Sequence, residues 1–172
     1  MAYEIIPARV INQSIHSIRN KITLDKGKLD TIKAPMGVMT ESGVVGVIIK
    51  VSDHFALANS MLNVDTRISV SLKGEGYFGS LSWTGRDYNE VIVTGVPKHA
   101  EINIGDTIVT NGYSTLFPAG IPAALVEEYE LDRTGDFYAI RCRPVVNFGK
   151  LQHVYAIKNN LKEEISILEN EQ

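Results

Sequence analysis

Residues 105–126 read GDTIVTNGYSTLFPAGIPAALV. A short β-prone run, Thr107 to Thr110, meets a turn at Asn111-Gly112, two residues that tolerate positive φ. A loop carrying Phe117 and two prolines follows, and a largely apolar run from Ala119 to Val126 closes the stretch. Pro118 and Pro122 fix φ and withhold N–H donors, which places them at a strand edge, start or bulge. Gly120 between them relieves the backbone. None of these residue types carries chemistry. Gly105, Asp106, Gly112, Pro118, Gly120 and Pro122 read as structural residues of a shaped corner in an all-β protein.

A second unit upstream follows the same plan. Met36 to Gly43 (MGVMTESG) leads into Val44 to Val51 (VVGVIIKV), as Asp106 to Gly112 leads, after a longer loop, into Gly120 to Val126. Each unit runs short strand, glycine turn, then a long strand that begins near a glycine. Gly43 and Gly46 are the structural glycines of the upstream copy, Gly46 at a bend of the long strand. Two similar β units are therefore expected.

The rest of the chain supplies more short strands. Met1 to Asn12 reads as an edge strand, with Pro7 where no donor is needed. Asn20 to Asp25 alternates, with Ile22 and Leu24 on one face. Phe55 to Met61, Arg67 to Leu72, Tyr77 to Trp83, Glu90 to Gly95, Phe137 to Arg143 and Val154 to Ile157 follow, separated by polar or glycine-bearing turns. Glu128 to Asp136 reads as a polar hairpin turn. Spacings of ~8–12 residues are the signature of a sandwich or barrel. A total of about a dozen strands suits two barrels of roughly six strands each. Leu161, Ile165 and Leu168 have helical spacing after Asn159-Asn160, which reads as a short C-terminal helix or a frayed tail.

The chain has 172 residues and a net charge of −3, with 44% hydrophobic and 22% charged residues. These values are those of a globular chain. The weak acidic balance and the lack of a basic patch argue against a nucleic-acid partner. The single cysteine, Cys142, has no intrachain partner for a disulfide. No apolar run approaches the ~20 residues of a membrane span, and the N-terminus has no signal-peptide core.

Catalytic constellations are hard to assemble. A two-barrel chain invites comparison with chymotrypsin-like proteases, whose chemistry needs Ser, His and an orienting carboxylate. The histidines are His16, His54, His99 and His153, and only His54 has an adjacent acid, Asp53, in an apparent turn. No serine sits in a Gly-Asp-Ser-Gly type segment; Ser42-Gly43 and Gly79-Ser80 read as turn or strand residues. No clustered metal ligands and no phosphate-cradling glycine loop are present, so neither metal nor cofactor is expected. What remains is surface. Tyr77, Phe78, Trp83, Phe117, Tyr138 and Phe148 are the candidate aromatic anchors for a protein partner, a residue type enriched at binding hot spots. Neighbours on a strand point to opposite faces, so Tyr77 and Phe78, or Phe137 and Tyr138, cannot both be core.

The combination of motifs resembles the rod shape-determining protein MreC family. Gly105 to Gly112 followed by Phe117-Pro118-Ala119-Gly120-Ile121-Pro122 is similar to that family's Gly-Asp strand, turn and Phe-Pro-x-Gly-hydrophobic-Pro loop. Gly43-Val-Val-Gly46 resembles its Gly-Val-Val-Gly element, and Arg143-Pro144-Val145 with Leu151 to Tyr155 its closing strand. Asn111 stands where serine is usual, and Ala123-Ala124 where a glycine is common; both are turn or strand positions. The resemblance spans most of Ala2 to Ile157. It implies two small β-barrels in a chymotrypsin-like overall arrangement without a protease site, and no enzymatic activity. It implies the extracytoplasmic, periplasmic region of a bitopic inner-membrane protein, anchored by an N-terminal helix that this chain does not contain. The implied role is a scaffold of wall elongation and cell shape. Such a scaffold self-associates as a homodimer or filament and binds a class B penicillin-binding transpeptidase and a membrane protein of the MreD type.

Two other functions stay in view: a trypsin-like peptidase, active or degenerate, and a carbohydrate- or peptidoglycan-binding module using exposed aromatics. For the domains, Gly43 to Pro97 alone holds about five short strands, enough to close a small barrel. The expected layout is therefore nested. An outer barrel comprises 1–42 plus 99–158, an inserted barrel 43–98, and a tail 159–172. A contiguous layout with a break near Pro97 is the alternative.

Overall fold

In the computed structural model, residues 2–170 are described; Met1 at the start of the expected first strand and the last two residues of the expected tail lie outside them. Twelve strands form two closed, antiparallel six-stranded barrels, followed by one helix. The strands are β1 (Tyr3–Gln13), β2 (Arg19–Leu24), β3 (Met36–Met39), β4 (Val44–Val51), β5 (Ala56–Asn63), β6 (Ile68–Leu72), β7 (Phe78–Ser82), β8 (Val91–Pro97), β9 (Thr107–Thr110), β10 (Pro122–Leu131), β11 (Phe137–Pro144) and β12 (His153–Asn159). Helix α1 spans Lys162–Asn170. The first barrel has the order β1-β12-β3-β4-β5-β2, and the second β10-β11-β8-β7-β6-β9. The all-β, two-barrel expectation is met, and the short helix forms at the tail.

The strand allocation differs from the expected boundaries of 1–42 plus 99–158 and 43–98. Strands β4 and β5 close the first barrel, and β9 to β11 close the second, so the second barrel runs from Ile68 to Pro144 between β5 and β12. The reason lies in the repeat. Strand β3 pairs with β4 through Met36↔Ile48 to Met39↔Val44, and β9 pairs with β10 through Val109↔Pro122 to Thr107↔Leu125. Each copy of the unit is thus a pair of neighbouring strands inside one barrel, and a cut at 42/43 would divide the first copy. Strand β12 then returns to pair with both β1 and β3, closing the first barrel.

The strands form where side-chain alternation matches a one-sided core. In β2, Asn20, Ile22 and Leu24 are buried while Arg19 and Lys21 face water. In β8, Val91 and Val93 are buried; at Gly95 (φ +87°) the register with β11 shifts, and Val96 is buried next. That is bulge geometry, in which a glycine supplies the left-handed residue and tightens the strand's twist. Gly46 acts differently. A Cβ there would overlap the Asn59 carbonyl oxygen, so glycine is what lets β4 approach β5 so closely. Pro7 pairs only with Tyr155 of β12, because β1 does not engage β2 until Val10. At Pro7 the other side of β1 has no paired strand, which is where proline is tolerated.

One expected turn is shorter than it was read. Residues 128–131 continue β10, and the turn is confined to 132–136. A register shift between Val126 and Glu128 carries the hairpin outward, so Glu127 to Leu131 are all exposed. A segment wet on both faces shows no hydrophobic alternation, so its polar sequence resembles a loop.

The barrels meet through the 111–121 loop. Phe117, 1% exposed, lies over Gly37 of β3: a Cβ at residue 37 would come within 2.6 Å of the ring and of the Leu116 carbonyl oxygen. A Cβ at Gly43 would overlap the Pro122 carbonyl oxygen and crowd the Val145 side chain. Asn159 Nδ2 donates to the Thr115 carbonyl at 3.2 Å, and the Tyr3 hydroxyl to the Phe117 carbonyl at 3.5 Å. Two glycines in the first barrel therefore accept the loop of the second. Between β2 and the end of β5, Asn20 Nδ2 donates to the Leu62 carbonyl at 2.7 Å, and Asn63 Nδ2 to the Asn20 carbonyl at 3.1 Å. These buried amides are hydrogen-bonded, as buried polar groups must be to avoid a desolvation cost.

Candidate partner-binding surface

The six candidate aromatics separate into core and surface. Trp83 (5% exposed), Phe117 and Phe148 (3%) are buried. They are corrected here from anchors to packing residues. Trp83 lies just beyond β7 and donates its indole N–H to the Asp87 carbonyl at 2.8 Å, which satisfies the one polar atom of a buried tryptophan. Phe117 is the inter-barrel wedge. Phe148 sits in a single 3-10 turn, 148–150, whose opening is set by the Asn147 side chain accepting from the Gly149 N–H. Each large ring is removed from water, and none can meet a partner without unfolding its surroundings.

Tyr77, Phe78 and Tyr138 remain at the surface. Phe78 is 48% exposed, whereas Tyr77 and Tyr138 are half-buried against the core. Strand β7 begins at Phe78, β8 ends at Pro97 and β11 begins at Phe137. Because neighbouring strands are antiparallel, these residues lie at one end of the second barrel. Two further aromatics join them. Tyr113, 71% exposed, packs edge-on against Phe78 with ring centroids 4.6 Å apart. Tyr129 packs edge-on against Tyr138 at 5.7 Å. Leu131, opposite Tyr138 in the β10–β11 register, and Phe137 are also exposed. T-shaped pairs at these separations are favourable ring geometry.

The expectation omitted Tyr113, Tyr129 and Leu131. Tyr113 directly follows the Asn111-Gly112 turn, and a large ring at a turn tip is a signal of exposure. Asn111 shapes that tip: its Oδ1 accepts from the Tyr113 N–H at 3.0 Å, and its Nδ2 donates to the Val70 carbonyl at 3.1 Å. Gly112 there has φ +78°. Tyr129 and Leu131 were hidden in the segment read as a turn.

The remaining motif residues are structural in placement. Gly105 and Gly120 have φ +92° and +94°. The Asp106 carboxylate accepts from the Asn103 N–H at 2.8 Å, closing the turn before β9. Pro118 offers its carbonyl to the Thr110 hydroxyl at 2.7 Å, and the same hydroxyl accepts from the Ile121 N–H at 3.0 Å. Pro122 opens β10, the strand-start position that suits a missing donor.

Ion pairs run along β10 and β11, and one of them, Lys98 with Asp136, lies at the aromatic end. Arg141 Nη2 meets Glu128 at 2.6 Å and its Nε lies 3.8 Å from Glu90; Arg143 reaches Glu127 at 3.7 Å, and Lys98 reaches Asp136 at 3.6 Å. Such exposed pairs contribute about 0–1 kcal/mol each. Asp132 in the hairpin turn is held below the usual carboxylate range by the Thr134 hydroxyl and by backbone N–H donors. Among the described residues no group of three or more His, Cys, Asp or Glu could hold a metal ion. His54 stacks edge-on with Phe55 at 6.5 Å.

The arrangement is a cluster of partly exposed aromatic and apolar side chains at one end of a barrel with paired strands and a filled interior. The model of the family described as rod shape-determining protein MreC, barrel core, matches residues 10–158. The chain belongs to the MreC family. It is 27% identical over 161 residues to the cell shape-determining protein MreC of Listeria monocytogenes, covering 92% of this chain and 55% of that protein. The chain spans about half the length of the curated relatives it matches. A solved structure of the Listeria MreC superposes with a TM-score of 0.85 at 27% identity, covering 92% of this chain and 77% of that one. MreC in a solved complex between penicillin-binding protein PBP2 and MreC from Helicobacter pylori shares the fold, with a TM-score of 0.73 at 18% identity over 91% of this chain and 98% of that one. Members of the MreC family among the curated relatives are cell shape-determining proteins. No helix among the described residues is long and apolar enough to cross a membrane.

Proposed function

We propose that this chain is the periplasmic β region of a bitopic inner-membrane scaffold that organises lateral wall elongation and thereby cell shape. It works without catalysis: it self-associates, binds a class B penicillin-binding transpeptidase, and contacts an MreD-type membrane protein. The observation that carries the reading is the paired-aromatic end of the second barrel, Phe78 with Tyr113 and Tyr129 with Tyr138, in a member of the MreC family. A related MreC has been solved bound to a penicillin-binding protein. Clustered, partly exposed rings have the composition of a protein-binding hot spot, where a few desolvated aromatics dominate affinity.

Sedimentation velocity tests the reading. The chain alone is expected to show concentration-dependent self-association. A mixture with the transpeptidase's periplasmic region is expected to sediment faster than either component. Independent sedimentation of the two, with a chain that stays monomeric at every concentration, overturns it.

A further inference from the structure

A cleft of about 500 Å³ lies between the start of α1, residues 33–36 and the end of β12, with Thr115 of the 111–121 loop also on its lining. That volume lies within the range of small-molecule sites. Its lining is chemically sorted. Exposed Ala34 and Pro35 line it beside the core residues Met36 and Ile157, and three lysines, Lys33, Lys158 and Lys162, are also on the lining, in a chain whose net charge is −3. The single carboxylate on the lining, Glu163, is not within ion-pair distance of any of the three, and among the described residues none of these lysines forms a salt bridge.

Lys162 is the most constrained. Its Nζ donates to the Pro35 carbonyl at 3.2 Å, leaving two of its three donors unused. Burial, with no counter-ion to offset it, pulls its pKa below the ordinary lysine value. Lysines are compact point charges suited to phosphate oxygens, whereas bidentate carboxylate recognition favours arginine.

We infer that this cleft binds a phosphate or diphosphate group attached to an apolar body, with Lys33, Lys158 and Lys162 on the anion and Ala34 and Pro35 against the apolar part. An anion seated there restores to Lys162 the counter-charge that the protein withholds. The phosphate belongs either to a soluble compound or to a lipid headgroup, and the chemistry of the contact is the same.

Amide NMR of the chain titrated with sodium pyrophosphate at physiological salt provides the test. Saturable shifts are expected at Lys33, Met36, Lys158, Lys162 and Ser166, and not at the exposed Lys73 or Lys98. Lys162→Gln, which keeps a donor for the Pro35 carbonyl, is expected to weaken binding about tenfold, as expected for loss of one charge-assisted contact. Its unchanged circular dichroism and spectral dispersion would establish that the fold persists. A parallel arm uses vesicles of phosphatidylglycerol or phosphatidylcholine. Co-sedimentation with the anionic vesicles alone, reversed by pyrophosphate, identifies the headgroup source. Pyrophosphate binding without vesicle binding identifies the soluble source. Absent or non-saturable shifts, equal shifts at Lys73 and Lys98, or unaltered affinity in Lys162→Gln overturn the inference, as does vesicle binding that pyrophosphate does not reverse.

Discussion

Replacing Phe117 by alanine removes the ring that lies over Gly37 between the two barrels. The ring is buried in full, and Gly37 has no side chain that could move in to fill the space. The loss is therefore transfer free energy plus an unrelaxed cavity, about 3–5 kcal/mol for a buried phenylalanine. That is a large part of the 5–15 kcal/mol by which domains are ordinarily stable. With a urea m-value of about 2 kcal/mol/M, the midpoint should fall by about 1.5–2.5 M. The buried Trp83, in the second barrel, provides a fluorescence signal, and far-UV circular dichroism reports both barrels. Coincident transitions in the wild type, becoming separated in Phe117→Ala, would show that the wedge couples the barrels. Gly37→Ala should also destabilise, because the added methyl meets the Phe117 ring and the Leu116 carbonyl. In the Phe117→Ala background the ring collision is gone but the carbonyl remains, so Gly37→Ala should cost less there, with a coupling of about 0.5–3 kcal/mol. A midpoint shift below about 0.5 M for Phe117→Ala, equivalent to about 1 kcal/mol, or strict additivity with Gly37→Ala, would refute the wedge.

Gly46→Ala should destabilise by more than about 2 kcal/mol, since its methyl meets a strand carbonyl that cannot rotate away; Gly149→Ala, where the nearest atom is the Asn147 side-chain oxygen at 3.4 Å, should stay within about 0.5 kcal/mol, and urea melts of the pair check the contrast. Cys142 is buried, and desolvation first, then the Glu127 carboxylate, push its thiol from about 9 up to about 12. Ellman's reagent at pH 8 should leave it unreacted in the native protein and titrate one thiol after denaturation. Because the folded pKa is the higher one, the neutral thiol's contribution is intact below about pH 9 and is lost as pH rises toward about 12. The urea-midpoint advantage of the wild type over Cys142→Ala should accordingly shrink between pH 8 and pH 11.

Much of the architecture is legible in single residues. Period-2 burial in β2 and glycine-punctuated turns mark strands wherever one face is wet and the other dry. The division of strands between barrels is not legible, because it depends on which distant segment returns. Strand β12 closes the first barrel from 90 residues beyond β5. Hydrophobic period identifies a strand and says nothing of its partner. The internal repeat did contain the answer, since each copy is a paired hairpin unit and a boundary cannot cut one. The candidate surface was half legible for a related reason. Alternation shows that Tyr77 and Phe78 diverge, but Trp83 and Phe148 lie outside strands, where no alternation applies. Tyr113 is exposed by a turn whose chemistry was recognised, while its ring was left unread.

The proposed partner-binding role is tested most directly by calorimetric titration of the chain with the periplasmic region of a class B transpeptidase, comparing wild type with the Phe78→Ala, Tyr113→Ala double variant. We expect saturable binding for the wild type and a loss of at least about 2 kcal/mol in the variant, near thirtyfold in affinity, with unchanged thermal stability. No heat of binding for the wild type, or equal affinity in a folded double variant, would contradict the assignment of that barrel end as the docking surface.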